Sequence, residues 1–499
     1  MKTIITLGLC ASVLSSLAAV KPAMIFNDNM VLQRDRDVPV WGTADPGEKV
    51  TVSFAGQTVT ATADAKGAWT ATLAPMKASA EARKMVIGGM TLSNVVVGEV
   101  WLCSGQSNMS MVMWTGPYVG MHGNRETNGY LDAMIVDEPE VRGVSVPNVW
   151  SVWEKELDRR LNWLVFAPNR LQGFSAIAFH YALSLHQALK VPVGVIVSAW
   201  GGTNIETWIS PDGYRSVKGL EGLADKAILA KDPNAEPPKS NAQDAKKPSA
   251  AAKAPVRRME LHKQPRALWN AMVHPLVPYA LRGAIWYQGE SNRGQGLRYK
   301  DYLHALHNGW SKAFANPGMP FYVVQIAPFD YGMTAGHPNA TGCCEIWQAE
   351  AEFAHEIPNG GCAVIVDVGD HDNIHPGDKR TVSLRLAAFA LNKTYGRKDV
   401  PCESPEVKSA KVENGVAKLA FANVTKWVMH GTDPVKFEIA GADRAFKMAQ
   451  VKFVDGGVEL SAKDVPAPKF VRYMWNWCWN GRLKNDYGLP LGPFSMEIK

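Results

Sequence analysis

The chain has few of the features that would place it in a membrane or on a nucleic acid. Beyond residue 19, none of its 499 residues belongs to an apolar run long enough for a transmembrane helix. The net charge is only +6, and much of it comes from residues 231–258, which hold seven Lys or Arg and three Asp or Glu. The rest is nearly balanced, so we predict no nucleic-acid partner and no membrane span.

Cysteine is scarce, and its spacing is not that of a metal site. The chain has seven cysteines, and the paired C-x-x-C spacings typical of structural zinc are missing. The sequence therefore predicts no metal and no cofactor, and spacing alone assigns no disulfide partners. Beyond the N-terminal segment, the cysteines are Cys103, Cys343, Cys344, Cys362, Cys402 and Cys478.

The first residues have the pattern of a secretory signal peptide. Lys2 precedes the apolar segment Ile4–Leu17, and small residues follow, with cleavage expected after Ala18 or Ala19. We therefore expect residues 1–19 to be removed and the mature protein to lie outside the cytoplasm, in a periplasm or secreted.

Two segments are typical of all-β structure. Residues 20–94 contain short alternating runs such as Lys49–Phe54, separated by turn pairs such as Pro46-Gly47. The same pattern returns over residues 396–499. We predict that these two segments pack into one split sandwich beside the central domain.

Residues 95–395 have a different pattern. Near-continuous apolar runs, typical of strands buried on both faces, alternate with helical patterns. Helices are predicted over Ser175–Leu189 and Tyr302–Phe314. This alternation predicts an α/β domain with a parallel, helix-covered sheet. The apolar runs are Val95–Leu102, Val191–Ala199, Leu281–Tyr287, Phe321–Ile326 and Ala363–Val368.

Two segments interrupt the alternation. Residues 231–256 are rich in Ala, Pro and Lys and predict a low-complexity surface loop. Residues 115–160 carry several Trp and Tyr side chains and form either a lid or substrate wall or a peripheral insertion.

Glycine-rich polar residues follow four of the five apolar runs. Because ligands bind at the carboxyl ends of strands in parallel sheets, these residues are expected to meet at one edge. The four sequences are Gly105-Gln106-Ser107-Asn108, Gly201-Gly202-Thr203-Asn204, Gln288-Gly289-Glu290-Ser291-Asn292 and Asp370-His371-Asp372-Asn373-Ile374-His375.

Ser107 is the candidate nucleophile at this edge, although serine is also common in ordinary strand-to-helix loops. A serine needs a base, and His375 is the best candidate, with Asp372 three residues earlier to orient the imidazole. A His-Pro turn held by Asx hydrogen bonds is the structural alternative. The competitors are His371 for the base, and Asp370 and Asp367 for the acid.

The same segment could also supply metal ligands. Asp370, His371, Asp372 and His375 lie within six residues, where they would crowd one another. Serine chemistry is therefore the favoured interpretation.

Acyl transfer also needs hydrogen-bond donors for the oxyanion. The backbone N–H of Ser107 is one candidate. Gly202 is a second, because glycine allows close approach of the backbone. A side-chain amide from Gln288 or Asn292 is the third. Glu290 is interpreted as structural or substrate-orienting.

These motifs resemble the four blocks of the SGNH hydrolases and, more closely, the sialate O-acetylesterase family. The resemblance covers nearly the whole mature chain. It implies an SGNH-type, flavodoxin-like three-layer α/β/α domain with flanking all-β, sandwich-like segments. It also implies removal of O-acetyl groups from sialic acids through an acyl-enzyme without metal, with Ser107 as nucleophile, His375 as base and Asp372 as its orienter.

The sequence therefore predicts a secreted carbohydrate O-acetylesterase acting on O-acetylated sialic acid or a sialoglycan. An acetyl-xylan or other polysaccharide esterase and a non-catalytic carbohydrate-binding protein are the alternatives. A sialate carboxylate calls for arginine, and Arg125, Arg170 and Arg293 are the candidates. We take Arg293 with Glu290 as the expected substrate-binding residues; the oligomeric state is not predicted.

Overall fold

The fold is taken from a computed structural model. No helix in the described ranges is long and apolar enough to cross a membrane. The predicted signal segment, the insert at 231–256, Arg125, His371 and Cys478 lie outside these ranges. The described residues are 20–114, 129–226, 260–329, 342–370, 372–429, 431, 435–475, 481 and 483–498.

The N-terminal part consists of short strands. Antiparallel pairs join β1 (Lys21–Pro22), β3 (Val38–Thr43) and β6 (Ala68–Leu73) in one sheet. Every second residue of β6 is buried, which is the period of a strand with one face against a core. The other strands are β2 (Val31–Gln33), β4 (Lys49–Phe54), β5 (Gln57–Thr62) and β7 (Ser79–Ile87).

Strand β8 (Met90–Gly105) joins the N-terminal strands to the central sheet. Its first part pairs with β7 and β2, with Val31 opposite Val96. From Val95 onward every residue of the strand is buried. The sequence-based boundary at residue 95 therefore falls inside one 16-residue strand.

The central sheet has the order β10-β9-β11-β8-β12-β13-β14. All neighbours are parallel except β10, which runs antiparallel to β9. This confirms the predicted α/β class. The strands are β9 (Glu138–Ser145), β10 (Leu164–Phe166), β11 (Val193–Ala199), β12 (Gly283–Tyr287), β13 (Phe321–Val324) and β14 (Gly360–Ala363).

Two strands of this sheet differ from the prediction. β9 lies inside the segment interpreted as a lid or a peripheral insertion, yet it pairs with β11. The run Ala363–Val368 contributes only its first residue to β14. A Cβ at Gly360 would lie 2.2 Å from a backbone oxygen of Ala354, so close packing requires glycine where the pattern predicts no strand. Val366 lies in a turn, and its apolar side chain is buried. The backbone oxygen of Val366 accepts a hydrogen bond from the Gly481 N–H.

Helices cover both faces of the sheet. One core joins the sheet to α3 and α7, and another joins it to α5 and α6. The prediction of α3 is confirmed, with Ser175 capping its first turn, and α5 begins three residues earlier than predicted. The helices are α1 (Ser107–Ser110), α2 (Gly129–Ile135), α3 (Ala176–Leu189), α4 (Pro211–Arg215), α5 (Tyr299–Ala313), α6 (Gly342–Glu356) and α7 (Lys379–Phe389).

Short segments of 3₁₀- or π-helix complete the helical structure of the described chain, and the longest of them, Glu290–Arg298, is interrupted by a kink at Gly296. They lie mainly in the segments that follow β11 and β12. The 3₁₀ turns are Ile205–Trp208, Glu221–Leu223, Leu261–Lys263, His274–Leu276 and Glu290–Arg298, and the π turns are Trp269–Val273 and Ala390–Thr394.

The C-terminal part is all-β and encloses a core of its own. The N-terminal strands instead share the core of the central sheet, so the predicted split sandwich is wrong. Two four-stranded sheets have the orders β15-β16-β21-β20 and β19-β18-β22-β24, and β17 pairs with β23. The strands are β15 (Glu406–Glu413), β16 (Val416–Ala422), β17 (Val428–Met429), β18 (Phe437–Ala440), β19 (Lys447–Met448), β20 (Gln450–Val454), β21 (Gly457–Ser461), β22 (Phe470–Tyr473), β23 (Leu483–Lys484) and β24 (Phe494–Glu497).

Candidate active site

The candidate nucleophile follows the end of β8, where the sheet continues on both sides. Gly105 lies opposite Ala199 of β11 and Tyr287 of β12. Its φ is +143°, and a Cβ there would lie 2.2 Å from the backbone oxygen of Tyr287. Glycine therefore lets the two strands approach just before the chain turns into α1 at Ser107. In open α/β sheets this is the edge at which ligands bind.

Ser107 and His375 are in hydrogen-bond contact. The distance from Ser107 Oγ to His375 Nε2 is 2.7 Å, and both side chains are half-buried. His375 lies in the segment between β14 and α7, where its backbone N–H donates to Asn373 Oδ1 at 2.9 Å. The structure therefore brings together a hydroxyl and an imidazole with nucleophile-and-base geometry.

Asp372 does not complete this pair in the structure. Its side chain is exposed, and among the described residues no hydrogen bond or ion pair joins its carboxylate to His375. The cause is local: the Asp372 N–H donates to Asp370 Oδ1 at 3.0 Å, and the Asn373 side chain forms the next turn. Two successive Asx turns leave the Asp372 carboxylate facing solvent, which corrects the predicted orienting contact.

Asp367 has a different partner set. Its carboxylate accepts from Arg385 at 2.6 and 2.7 Å and pairs with Lys484 at 2.7 Å. Burial opposes its ionisation, but the hydrogen bonds and charges of these two cations outweigh burial and lower its pKa. Asp367 therefore ties α7 to β23 and is not engaged with His375.

A cavity of about 730 Å³ opens above the Ser107–His375 pair. Gly201 is closely packed there, since a Cβ on it would lie 3.2 Å from Ser107 Cβ. The predicted site residues that line the cavity are Ser107, Gly202, Glu290, Asn292, Arg293 and His375.

The two candidate amides have different surroundings. Gln288 is fully buried, and its Nε2 donates to Gln106 Oε1, Thr203 O and Asn292 Oδ1 at 2.8–3.1 Å. It does not line the cavity. Asn292 does, and its Oδ1 accepts from Gln288 and from the Ile205 N–H. In this structure Gln288 supports Asn292 and is not placed to meet an oxyanion.

Glu206 forms part of the cavity wall. Its Oε2 accepts from Asn204 Nδ2 and Asn292 Nδ2, both at 2.8 Å, and its Oε1 accepts from Gln295 Nε2 at 3.2 Å. Three side-chain amides thus fix one carboxylate beside the reacting pair.

A buried network lies beneath the pair. Asn108 Nδ2 donates to Glu290 Oε1 at 2.7 Å, and Asn108 Oδ1 accepts from Lys379 Nζ at 2.7 Å. Burial raises the pKa of the Glu290 carboxyl, and the Asn108 hydrogen bond and the Lys379 charge oppose that rise. Asn108 thus holds one oxygen of Glu290, while the other oxygen, Oε2, is buried and has no hydrogen-bond partner among the described residues.

Comparison with known proteins identifies the family. The sialate O-acetylesterase of Mus musculus is 30% identical to this chain over 444 residues, which are 80% of the chain and 78% of the mouse protein. The chain belongs to the sialate O-acetylesterase family. The sialate O-acetylesterase of Homo sapiens is 29% identical over 425 residues, 77% of this chain and 72% of the human protein.

A solved structure is similar to this chain over nearly its whole length. The crystal structure of a carbohydrate acetylesterase from Xanthomonas citri aligns with a TM-score of 0.80 at 28% identity. It covers 96% of this chain and 99% of that protein. No family model matches the sequence.

In this member of the sialate O-acetylesterase family, the three arginine candidates for carboxylate binding differ in their position relative to the cavity. Arg293 lines the cavity, whereas Arg170 is exposed and does not line it, and Arg125 lies outside the described residues. Lys263 is a second basic residue at the cavity, which the sequence analysis misses.

Sequence reasoning also misses Glu206 and Lys379. Glu206 follows the Gly201-Gly202 motif by four residues, and this proximity is the only feature of the local sequence that could have indicated its place at the site. Lys379 follows His375 by four residues, but its contact with Asn108 spans 271 residues and leaves no pattern in the sequence.

Proposed function

We propose that this protein is a secreted carbohydrate O-acetylesterase that removes O-acetyl groups from sialic acids by a serine acyl-enzyme mechanism. The observation that carries the proposal is the 2.7 Å contact of Ser107 Oγ with His375 Nε2 in an open cavity of a sialate O-acetylesterase family member. Residues 1–19 direct export, and the mature chain acts outside the cytoplasm.

The reaction begins when Ser107 Oγ attacks the acetyl carbonyl carbon and His375 Nε2 accepts the hydroxyl proton. The tetrahedral intermediate collapses as the imidazolium returns that proton to the departing sugar oxygen. Water, deprotonated by His375, then attacks the acetyl-Ser107 ester, and acetate leaves as the imidazolium returns the proton to Ser107 Oγ. No metal takes part in these steps.

The oxyanion is stabilised by the Ser107 N–H, the Gly202 N–H and the side-chain amide of Asn292. Gly202 and Asn292 line the cavity next to Ser107, which supports this assignment. One such donor contributes about 10²–10³-fold to kcat in acyl-transfer enzymes.

The hydrolase domain is an SGNH-type, flavodoxin-like three-layer α/β/α domain. When the edge strands β9 and β10 are left out, the strands β11-β8-β12-β13-β14, numbered by chain order among themselves, give the order 2-1-3-4-5, which is the flavodoxin-like order. The helices on both faces of the sheet also support this assignment.

A sialic acid carries a carboxylate, and the cavity has two basic residues, Arg293 and Lys263, to receive it. A second candidate function is deacetylation of a neutral polysaccharide such as acetyl-xylan. The observation that favours it is the Glu206 carboxylate in the cavity wall, which suits the hydroxyl groups of a neutral sugar.

The test is acetate release from O-acetylated sialic acid and from acetylated xylan, with a chelator present, by the mature wild type and by Ser107→Ala. If the wild type releases acetate from O-acetylated sialic acid and Ser107→Ala does not, both the serine mechanism and the proposed substrate are supported. Release only from xylan keeps Ser107 and rejects sialic acid as substrate. Equal release by Ser107→Ala rejects the serine mechanism, and no release from either substrate by the wild type favours a carbohydrate-binding protein.

A further inference from the structure

Lys379 is a buried cation that the mechanism above does not use. It is the first residue of α7, and its side chain has no exposed surface. Its Nζ donates to Asn108 Oδ1 and to the backbone oxygen of Pro376, both at 2.7 Å. Lys379 does not line the cavity, so it has no direct contact with a substrate there.

The contacts of Asn108 extend this connection. Its Nδ2 donates to the Ile374 backbone oxygen at 3.0 Å as well as to Glu290. Ile374 and Pro376 flank His375, and Asn108 directly follows Ser107. One amine and one amide therefore hold the backbone on both sides of the base and next to the nucleophile.

This position is unfavourable for a lysine on general grounds. An ammonium group loses its hydration when it is buried. A positive charge in the first turn of a helix also opposes the helix dipole. The packing of α7 alone does not explain a lysine here, whereas its two short hydrogen bonds do: one holds the His375 segment at Pro376 O, and the other holds Asn108 beside Ser107.

We propose that Lys379 is a positioning residue that holds the His375 imidazole against Ser107, directly through Pro376 O and indirectly through Asn108 and Ile374 O. The inference rests on the proposed function, because it requires Ser107 and His375 to be the reacting pair. Without Lys379 the segment carrying His375 shifts, and a displacement of about 1 Å costs on the order of 10²-fold in rate.

The experiment compares Lys379→Met with Arg380→Met in the mature protein. The two substitutions are chemically similar and adjacent on α7, but Arg380 is exposed. The substrate is 4-nitrophenyl acetate, so the result does not depend on which sugar is recognised. Two readouts are taken: kcat and KM, and the rate at which a fluorophosphonate labels Ser107. Melting curves establish that each variant is folded.

We expect Lys379→Met to lower kcat by about 10- to 100-fold, with KM within about threefold of wild type and Ser107 labelling slowed in parallel. Arg380→Met retains wild-type values. A folded Lys379→Met with wild-type kcat, or with an effect confined to KM, overturns the proposal.

Two further variants remove ambiguity. If Lys379→Met does not fold, Asn108→Ala breaks the same connection and decides the question: a folded Asn108→Ala with wild-type kcat overturns the proposal, and a lowered kcat with unchanged KM supports it. Ser107→Ala is measured alongside. If it stays active, the proposed function itself fails, and that result is distinct from a failure of the role of Lys379.

Discussion

Asn292 donates to Glu206 Oε2 at 2.8 Å while its own Oδ1 accepts from the Ile205 N–H at 2.9 Å. The two bonds fix both ends of the amide and determine which side of it faces the cavity. An oxyanion donor that is rigid before the substrate arrives needs no reorganisation during the reaction.

Replacing Asn292 by Ala should therefore lower kcat by about 10²-fold, the typical effect of removing one oxyanion donor. Steady-state kinetics with 4-nitrophenyl acetate measure this. Glu206→Gln keeps the shape but removes the charge that anchors the amide, so a smaller decrease in kcat is expected. Wild-type kcat in Asn292→Ala would show that the oxyanion is stabilised elsewhere.

Because Asp372 is exposed, we expect its replacement to affect kcat much less than replacement of His375. His375→Gln removes the base and should lower kcat by about 10²–10⁴-fold. Asp372→Asn should retain most of the wild-type kcat, because the Asp372 carboxylate does not contact the imidazole in the structure. The two variants are compared by kcat at one pH. If Asp372→Asn loses as much activity as His375→Gln, the carboxylate reaches His375 during catalysis.

Glu350 in α6 is a source of pH-dependent stability. It is almost completely buried, its Oε2 accepts from the Ile326 N–H, and burial raises its pKa well above the usual value. The folded state thus keeps the proton at pH values where the unfolded chain has lost it. Stability from this group falls as pH rises from about 4.3 toward the raised pKa, with a limiting slope of about 1.4 kcal/mol per pH unit.

Glu350→Gln removes this dependence, so its melting temperature should exceed that of wild type at pH 8 by more than at pH 5. Glu356→Gln is the control on the same helix. Hydrogen bonds from Lys300 lower the pKa of Glu356, so its replacement should bring no gain at pH 8. A Glu350→Gln variant with the wild-type pH profile would contradict the expectation.

Asp367 is expected to be important for stability. Asp367→Asn leaves Arg385 and Lys484 without their carboxylate, and breaking a buried ion pair costs about 3–5 kcal/mol. Because the pKa of Asp367 is lowered, its contribution is present above about pH 3.9 and is lost as the pH falls through the folded-state pKa. Urea unfolding at neutral pH measures the free energy of unfolding.

The matched control is Asp399→Asn, which breaks an exposed pair with Arg397. Exposed pairs contribute little to stability, so the urea midpoint of that variant should stay near that of the wild type. Similar losses in the two variants would mean that burial does not strengthen the Asp367 contacts.

Prediction from sequence succeeded where short-range pattern carries the information. The apolar run into Gly105 predicts a buried strand, and the residues after it predict a polar site. It failed where orientation matters: the spacing from Asp372 to His375 permits a contact, but Asx turns direct the carboxylate away. Lys379 is missed because its role depends on the distant Asn108. The start of β14 at Gly360 is missed because glycine is not typical of strands, and it is required here only by close packing against Ala354.

Strand β8 connects the N-terminal β layer directly to the candidate active site. The strand passes from its pairing with β7 and β2 into the central sheet and ends two residues before Ser107. A fragment starting at residue 95 would lose those partners and expose backbone donors and acceptors along a new sheet edge, which favours aggregation. Replacement of the N-terminal layer is therefore constrained, because any replacement must supply two of the four partners of the strand that leads to Ser107.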